Sequence, residues 1–285
     1  MGKTDNYYTH VASLTVLRLK EWAALWQKSW KGSYFGALPM NPITGRRYRA
    51  GNLIQLMLQE HADPRWLTYQ QAQRVGAQVK KGEKGTPILY WAFEGVQAVP
   101  GKDGQLLQEK VELERPRCIV SYVFNAEQIE DLPAFVPDGE RSRSDLERAK
   151  NILEASGARI VNRAQSSSYY REDEDTIHLP DKELFSDETS YYSTALHELL
   201  HWTGHKLRLD REFGPFGSLA YAREELRAGI GSRLLSTELG IGFSVDRHSG
   251  YVRSWIEVLE ADPRELFRAA YDAEQMFDYV MGIFK

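Results

Sequence analysis

The segment His197-Glu198-Leu199-Leu200-His201 constrains this chain more than any other stretch of it. Histidines four apart project from one face of a helix, and a carboxylate beside the first is placed to polarise a water held at a metal between them. The pattern therefore demands a helix, and Tyr191 to Leu196 (YYSTAL) leads into it with an apolar side. Catalytic zinc takes three protein ligands and keeps a fourth position open. Tyr221-Ala222-Arg223-Glu224-Glu225-Leu226 reads as a second helix, and Glu225 lies 24 positions beyond His201, far enough for the chain to reverse. Glu225 is the preferred third ligand and Glu224 its competitor; one of the two is expected on a solvated face. Leu207 stands where the pattern HExxHxxGxxH needs its last histidine, so His205, two residues early, is expected to pack or hydrogen-bond near the site. His178 and His248 are read as structural. The bland alternative for the whole motif is a helix with two satisfied histidines.

At 285 residues the chain has room for two domains. Its single cysteine, Cys118, excludes an internal disulfide or a multi-cysteine metal site and fits a reducing compartment. No apolar run approaches the roughly 18–20 residues of a membrane span. The start has no apolar leader core, and Asn6 occupies the position where N-myristoylation wants Ser or Thr. A cytoplasmic protein without membrane contact is expected. The net charge of −4 conceals an asymmetry: residues 1–93 hold 13 Lys and Arg against 5 Asp and Glu, and the remainder 23 against 35. A basic front half suits a polyanion, with chance clustering of solvated charges as the alternative.

Hydrophobic spacing predicts an amphipathic helix over 8–31, a loop from Gly32 to Gly51, a helix over 53–60 and a short helix over 68–75 capped by Thr68. Lys80 to Gly85 (KKGEKG) reads as a turn between strands, the second being 86–93. A Gly-rich tip at 100–105 precedes another strand over 117–124. Turn formers at 133–143 (PDGERSR within it) mark the best boundary, giving domains 1–135 and 144–285 with a linker at 136–143. Beyond it come a helix over 144–156, with Ser144 and Glu147 as a capping box, strands over 159–162, 168–171 and 176–179, and helices over 188–204, 219–239 and 262–281. The expected architecture is α+β: a mixed α/β N-terminal domain and a mainly helical C-terminal one.

Aromatic and basic residues interleave in the first half. Trp30, Arg46, Arg47, Tyr48, Arg49, Trp66 and Tyr69 are candidates to bind single-stranded nucleic acid, whose bases stack on rings while cations meet its backbone. Lys80, Lys81 and Lys84 are placed to grip phosphate. Tryptophans are as readily core residues, and no element for reading a duplex groove is present.

Several of these segments together carry a family resemblance. Asn41 to Tyr48 (NPITGRRY), Gly51-Asn52, Arg65 to Ala72 (RWLTYQQA) and Val79 to Gly85 (VKKGEKG) resemble the N-terminal domain of ArdC-type antirestriction proteins, also found at the start of TraC-type plasmid primases. Tyr169-Tyr170, Asp175 to Pro180, His197 to His205, Arg208 to Arg211 and Tyr221 to Leu226 resemble the metallopeptidase domain that follows it. The resemblance covers nearly the whole chain. It implies a zincin-like, SprT-like and gluzincin-related C-terminal fold holding one Zn2+, or another divalent metal, with His197 and His201 as ligands, Glu198 as general base and a Glu of the 224–225 pair as third ligand. It also implies a protein that binds single-stranded DNA entering by conjugation and shields it from restriction; the alternative is a peptidase for a specific protein substrate or a host restriction enzyme, with DNA binding for localisation. One departure stands out: the family's pattern EELxAE has a carboxylate where this chain has Gly229.

Overall fold

The structure is a computed structural model that describes residues 3–25, 37–100, 106–136, 143–241 and 252–283. Helix α1 (Lys3–Leu25) opens the chain, and the rest of the expected helix over 8–31, with Trp30, lies outside the described residues. A small hairpin of β1 (Met40–Asn41) and β2 (Arg46–Arg47) leads to α2 (Ala50–Met57). Next come β3 (Trp66–Leu67), α3 (Tyr69–Arg74) and β4 (Gln78–Val79). Thr68 caps α3 as expected: its hydroxyl accepts from the Gln71 N–H while the Gln71 side chain takes the Thr68 N–H, so two donors with no helical partner are satisfied.

Two long strands dominate the first half. Strands β5 (Thr86–Pro100) and β6 (Leu106–Asn125) pair antiparallel, with Thr86 opposite Val123 and Ala92 opposite Arg117. The alternating segments expected at 86–93 and 117–124 form the inner part of this ribbon. Past a register shift between Ala92 and Glu94 it continues into polar sequence whose pattern alone does not announce a strand. Strand β3 adds to the outer edge of β6, and β4 pairs instead with β7 (Ile129–Glu130).

In the second half α4 (Arg143–Ser156) begins one residue ahead of Ser144, which is therefore inside the helix rather than its cap. Strands β8 (Arg159–Arg163), β9 (Tyr169–Arg171) and β10 (Thr176–Pro180) form a sheet in the order β8-β10-β9, with β10 parallel to β8 and antiparallel to β9. The central strand β10 is wholly buried beneath α5 (Glu188–Trp202). Helix α6 (Leu219–Glu238) lies across α5, and α7 (Val252–Ala261) and α8 (Glu265–Ile283) pack behind it. The expected helix over 262–281 thus starts later, after Pro263. A separate helix, α7, precedes it, carried by apolar residues at Val252, Trp255, Val258 and Leu259. No helix among the described residues is long and apolar enough to cross a membrane.

The cores do not respect the linker. One cluster gathers Leu38 and Leu53 with Leu196, Leu199, Leu200, Leu234 and Met276; another joins Tyr7, Val11 and Leu58 to Leu226, Trp255 and Leu266. Ion pairs reinforce the join. Glu274 on α8 is buried and accepts from Arg47 at 2.8 Å, Arg49 at 3.0 Å and the backbone N–H of Ala50 at 3.1 Å. Ala50 is held there in the left-handed region, at φ +48°. Arg47 and Arg49 also reach Asp278, and the Arg47 guanidinium lies 4.6 Å from the Phe277 ring centre. Removing the acceptor leaves both cations only the partly exposed Asp278, and one of them, Arg47, is largely buried. Glu274→Ala is therefore expected to lower unfolding free energy by about 2–4 kcal/mol in a urea titration, less than a fully buried pair because Arg49 is half exposed.

Candidate metal centre

Helix α5 delivers His197, Glu198 and His201, and α6 delivers Glu224 and Glu225; all five are buried at one cleft. The two imidazoles face each other, Nε2 to Nε2, at 3.2 Å. Glu225 closes the triangle, with one oxygen 3.4 Å from His201 Nε2 and the other 3.7 Å from His197 Nε2. Ligand atoms about 2.0–2.1 Å from a tetrahedral ion lie roughly 3.4 Å from one another, so this triangle is the face such an ion needs. The donor set fits as well: two imidazoles and a carboxylate, with nothing softer or harder, suit a divalent cation of the zinc or manganese type. His197, His201 and Glu225 form the three-residue group that could hold a metal among the described residues.

Each ligand is held from behind. His197 Nδ1 lies 2.9 Å from Ser232 Oγ, two turns beyond Glu225 on α6. His201 Nδ1 lies 3.2 Å from Glu224 Oε1. Glu224 is gripped in turn by Arg211, whose Nη2 and Nε reach its two oxygens at 2.8 and 3.1 Å. Arg211 spends its other donors on Thr203 Oγ1 and the Leu200 carbonyl, both at 2.9 Å. Gly204, in the run HELLHWTG, makes this possible: a Cβ there would stand 2.8 Å from Arg211 Nη2 and 2.6 Å from Phe213. Glu224 is therefore a buried orienting group, and neither glutamate occupies a solvated face. With glycine at 229 the group of His197, His201 and Glu225 is still complete.

Charge follows this geometry. Burial disfavours the imidazolium of His201, but the carboxylates of Glu225 and Glu224 outweigh it and raise its pKa well above the ordinary value. Burial likewise opposes ionisation of both glutamates, yet His201 with His197 holds Glu225, and His201 with Arg211 holds Glu224, below the usual carboxylate range.

The cleft encloses about 450 Å3 and is walled by Ser166, Ser168, Tyr169, Tyr170, Phe213 and Tyr221. The Tyr170 hydroxyl donates to Asp175 at 2.8 Å and accepts from Arg208 at 3.3 Å. Arg208 also pairs with Asp175 and lies 3.7 Å over Trp202, so the loop after α5 is clamped to β9. Tyr169 stacks on His178, ring centres 4.9 Å apart, and His178 Nε2 lies 3.1 Å from Glu174. His205 is buried and accepts the Leu207 N–H at 3.2 Å, away from the cleft wall. His248 lies outside the described residues.

The nucleic-acid candidates do not converge in the same way. Trp66 is 1 % exposed, packed with Leu56, Ile88 and Val123, so it has no face for a base; the sequence expectation is corrected here, because β3 joins the β6 edge and turns this ring inward. Arg47 and Arg49 face Glu274 and Asp278. Tyr48 is half-buried and donates to the Trp66 carbonyl at 3.2 Å. Lys80 reaches the Glu127 carbonyl at 2.8 Å. Arg46, Tyr69, Lys81 and Lys84 are exposed. Ser232, Ser166, Ser168 and Phe213 were not singled out from the sequence, although Ser232 sits at helical spacing from Glu225; Tyr169, Tyr170, Arg211 and Tyr221 entered only through the family resemblance or as candidate donors, without these contacts.

Residues 5–124 match the family described as the N-terminal domain of anti-restriction factor ArdC, and residues 147–272 match a zincin-like metallopeptidase family. A crystal structure of the antirestriction protein ArdC from plasmid R388, in a Mn(II)-bound form, superposes with a TM-score of 0.75 at 30 % identity, covering 97 % of each chain. The chain belongs to the ArdC antirestriction family. It carries a zincin-like metallopeptidase domain with a buried His-His-Glu divalent-metal site. Two curated relatives from Escherichia coli, both DNA primase TraC, are 50 % and 49 % identical over 97 % of this chain. The chain spans only 27 % and 20 % of their lengths.

Two measurements check the supports. Ser232→Ala and Glu224→Gln are each expected to weaken divalent-metal binding roughly 10- to 100-fold in competition with a chelating dye. Asp175, held below the ordinary carboxylate range chiefly by Arg208, stabilises the fold above that range and loses this contribution as pH falls through its depressed pKa. The stability advantage of wild type over Asp175→Asn should accordingly be full above about pH 5, shrink progressively as pH falls and be gone only below the depressed pKa, as read by thermal melting across an acid series.

Proposed function

We propose that this ArdC-family protein binds single-stranded DNA entering a cell by conjugation and protects it from restriction, through an N-terminal region 1–135. Region 144–285 then acts as a zinc peptidase. The observation that carries the DNA reading is a set of exposed cations, Arg46, Lys81 and Lys84, with no carboxylate partner among the described residues, in the part of the chain that matches the ArdC N-terminal domain. The Mn(II) in the R388 relative shows that a site of this family takes a divalent ion; zinc is our choice for this chain from its donor set. The protein is expected in the cytoplasm, where incoming strands and restriction enzymes meet.

For the peptidase chemistry, His197, His201 and Glu225 would hold the ion, which when bound supplies Lewis acidity to a water and a scissile carbonyl. Glu198, in the same cleft, takes the proton of the attacking water and returns it to the departing amide nitrogen. Ser232 and Glu224 keep the two imidazoles aimed. Tyr169, Tyr170 and Tyr221 line the cleft and are the candidate donors to the developing oxyanion. The aromatic walls suit an extended peptide rather than a folded surface.

The decisive comparison uses Glu198→Gln. Peptidase turnover on an unfolded protein substrate is expected to fall at least about 100-fold with metal content unchanged. Protection of conjugated DNA in a restricting recipient should survive the same substitution. Loss of protection would instead favour a peptidase that acts on a host or DNA-bound protein, such as a restriction enzyme.

A further inference from the structure

Base stacking needs exposed rings beside unpaired cations, and one strip of the surface has both. Tyr69, at the start of α3, meets Phe124 edge-on with ring centres 6.5 Å apart. Its hydroxyl accepts from Gln78 Nε2 at 3.2 Å, which fixes the ring. Phe124 and Tyr122 are two apart on β6 and so share a face. Both meet Gly85, where a Cβ would lie 3.0 Å from Tyr122 Cβ and 3.1 Å from Phe124 Cζ. Glycine at 85 thus lets the Lys80–Gly85 turn lie against the rings. Tyr69 and Tyr122 are 43 % and 57 % exposed, with Phe124 half-buried between them.

The charges flank this row. Lys81 and Lys84 are exposed in the turn, while its one acid, Glu83, accepts from Gln128 Nε2 at 2.8 Å. On the other flank Arg46 lies opposite Asn41 in the β1–β2 hairpin, and Asn41 Nδ2 donates to Gln71 on α3 at 3.0 Å. The other exposed rings on the described part of the ribbon are Tyr90, Trp91 and Phe93; Arg117 lies opposite Ala92 among them, and Glu94, paired with Lys110, brings a carboxylate to that end. We propose that Tyr69, Phe124 and Tyr122 are the platform on which bases of single-stranded DNA stack, with Lys81, Lys84 and Arg46 neutralising its phosphates. This rests on the DNA-binding reading above and assigns it a surface that the sequence pattern only partly indicated.

The test is an anisotropy titration of labelled oligo(dT) with the full chain at low and rising salt. Tyr69→Ala and Tyr122→Ala should each weaken binding roughly 5- to 100-fold, and Tyr122→Phe, which keeps the ring, should bind like wild type. The double variant Lys81→Ala, Lys84→Ala should flatten the logarithmic salt dependence by roughly 1.4, and Trp91→Ala should weaken binding less than either tyrosine variant. Thermal melts establish that each variant folds. If wild type fails to bind oligo(dT) at low salt, the DNA reading itself fails. If wild type binds but folded Tyr69→Ala and Tyr122→Ala bind equally well, the platform alone is overturned. Equal affinity for a duplex of the same length overturns it too, because paired bases offer no free face.

Discussion

The contact between Arg211 and Glu224 is the interaction on which the metal centre depends. A carboxylate buried between two helices is untenable without a partner, and Arg211 with His201 supplies it. Once Glu224 is fixed on the Nδ1 side of His201, the next residue along α6 is turned by about 100° and faces the Nε2 side. The position of Glu225 is therefore a consequence of its neighbour's pairing. The same grip ties the loop after α5 to the helix floor, since Arg211 also holds Thr203 and the Leu200 carbonyl. One guanidinium thus sets helix spacing, ligand orientation and one side of the cleft together.

Much of this site was legible because helical spacing is rigid. His197 and His201 had to share a face, and a ligand from the 221–226 helix had to be a glutamate. The preference for Glu225 over Glu224 is borne out, but the solvated face expected for the other is not: both carboxylates turn inward, and opposite imidazole nitrogens of His201 distinguish them. The orienting Ser232 was within reach of the same periodicity, whereas Arg211 acts from an irregular loop that no period describes.

The first half was less legible, for a physical reason. Aromatic and basic residues are ambiguous until tertiary packing divides them. Trp66 went to the core because β3 docks on β6, and Arg47 and Arg49 went to Glu274, more than two hundred residues away in sequence. Local signals fared better: Thr68 capped its helix, and the alternating segments paired as strands. Where the ribbon ran on past Glu94, its sequence was too polar to declare itself.

The shared clusters and the Glu274 ion pairs bear on inheritance. A boundary that looks natural in the sequence at 136–143 separates segments that cover each other's apolar faces, so neither could be traded to a new host gene without exposing what the other hides. Recombination that moves this unit intact keeps those faces covered, whereas recombination that splits it uncovers them. The long TraC relatives match this chain across both halves in one continuous stretch, as a cassette passed on whole would.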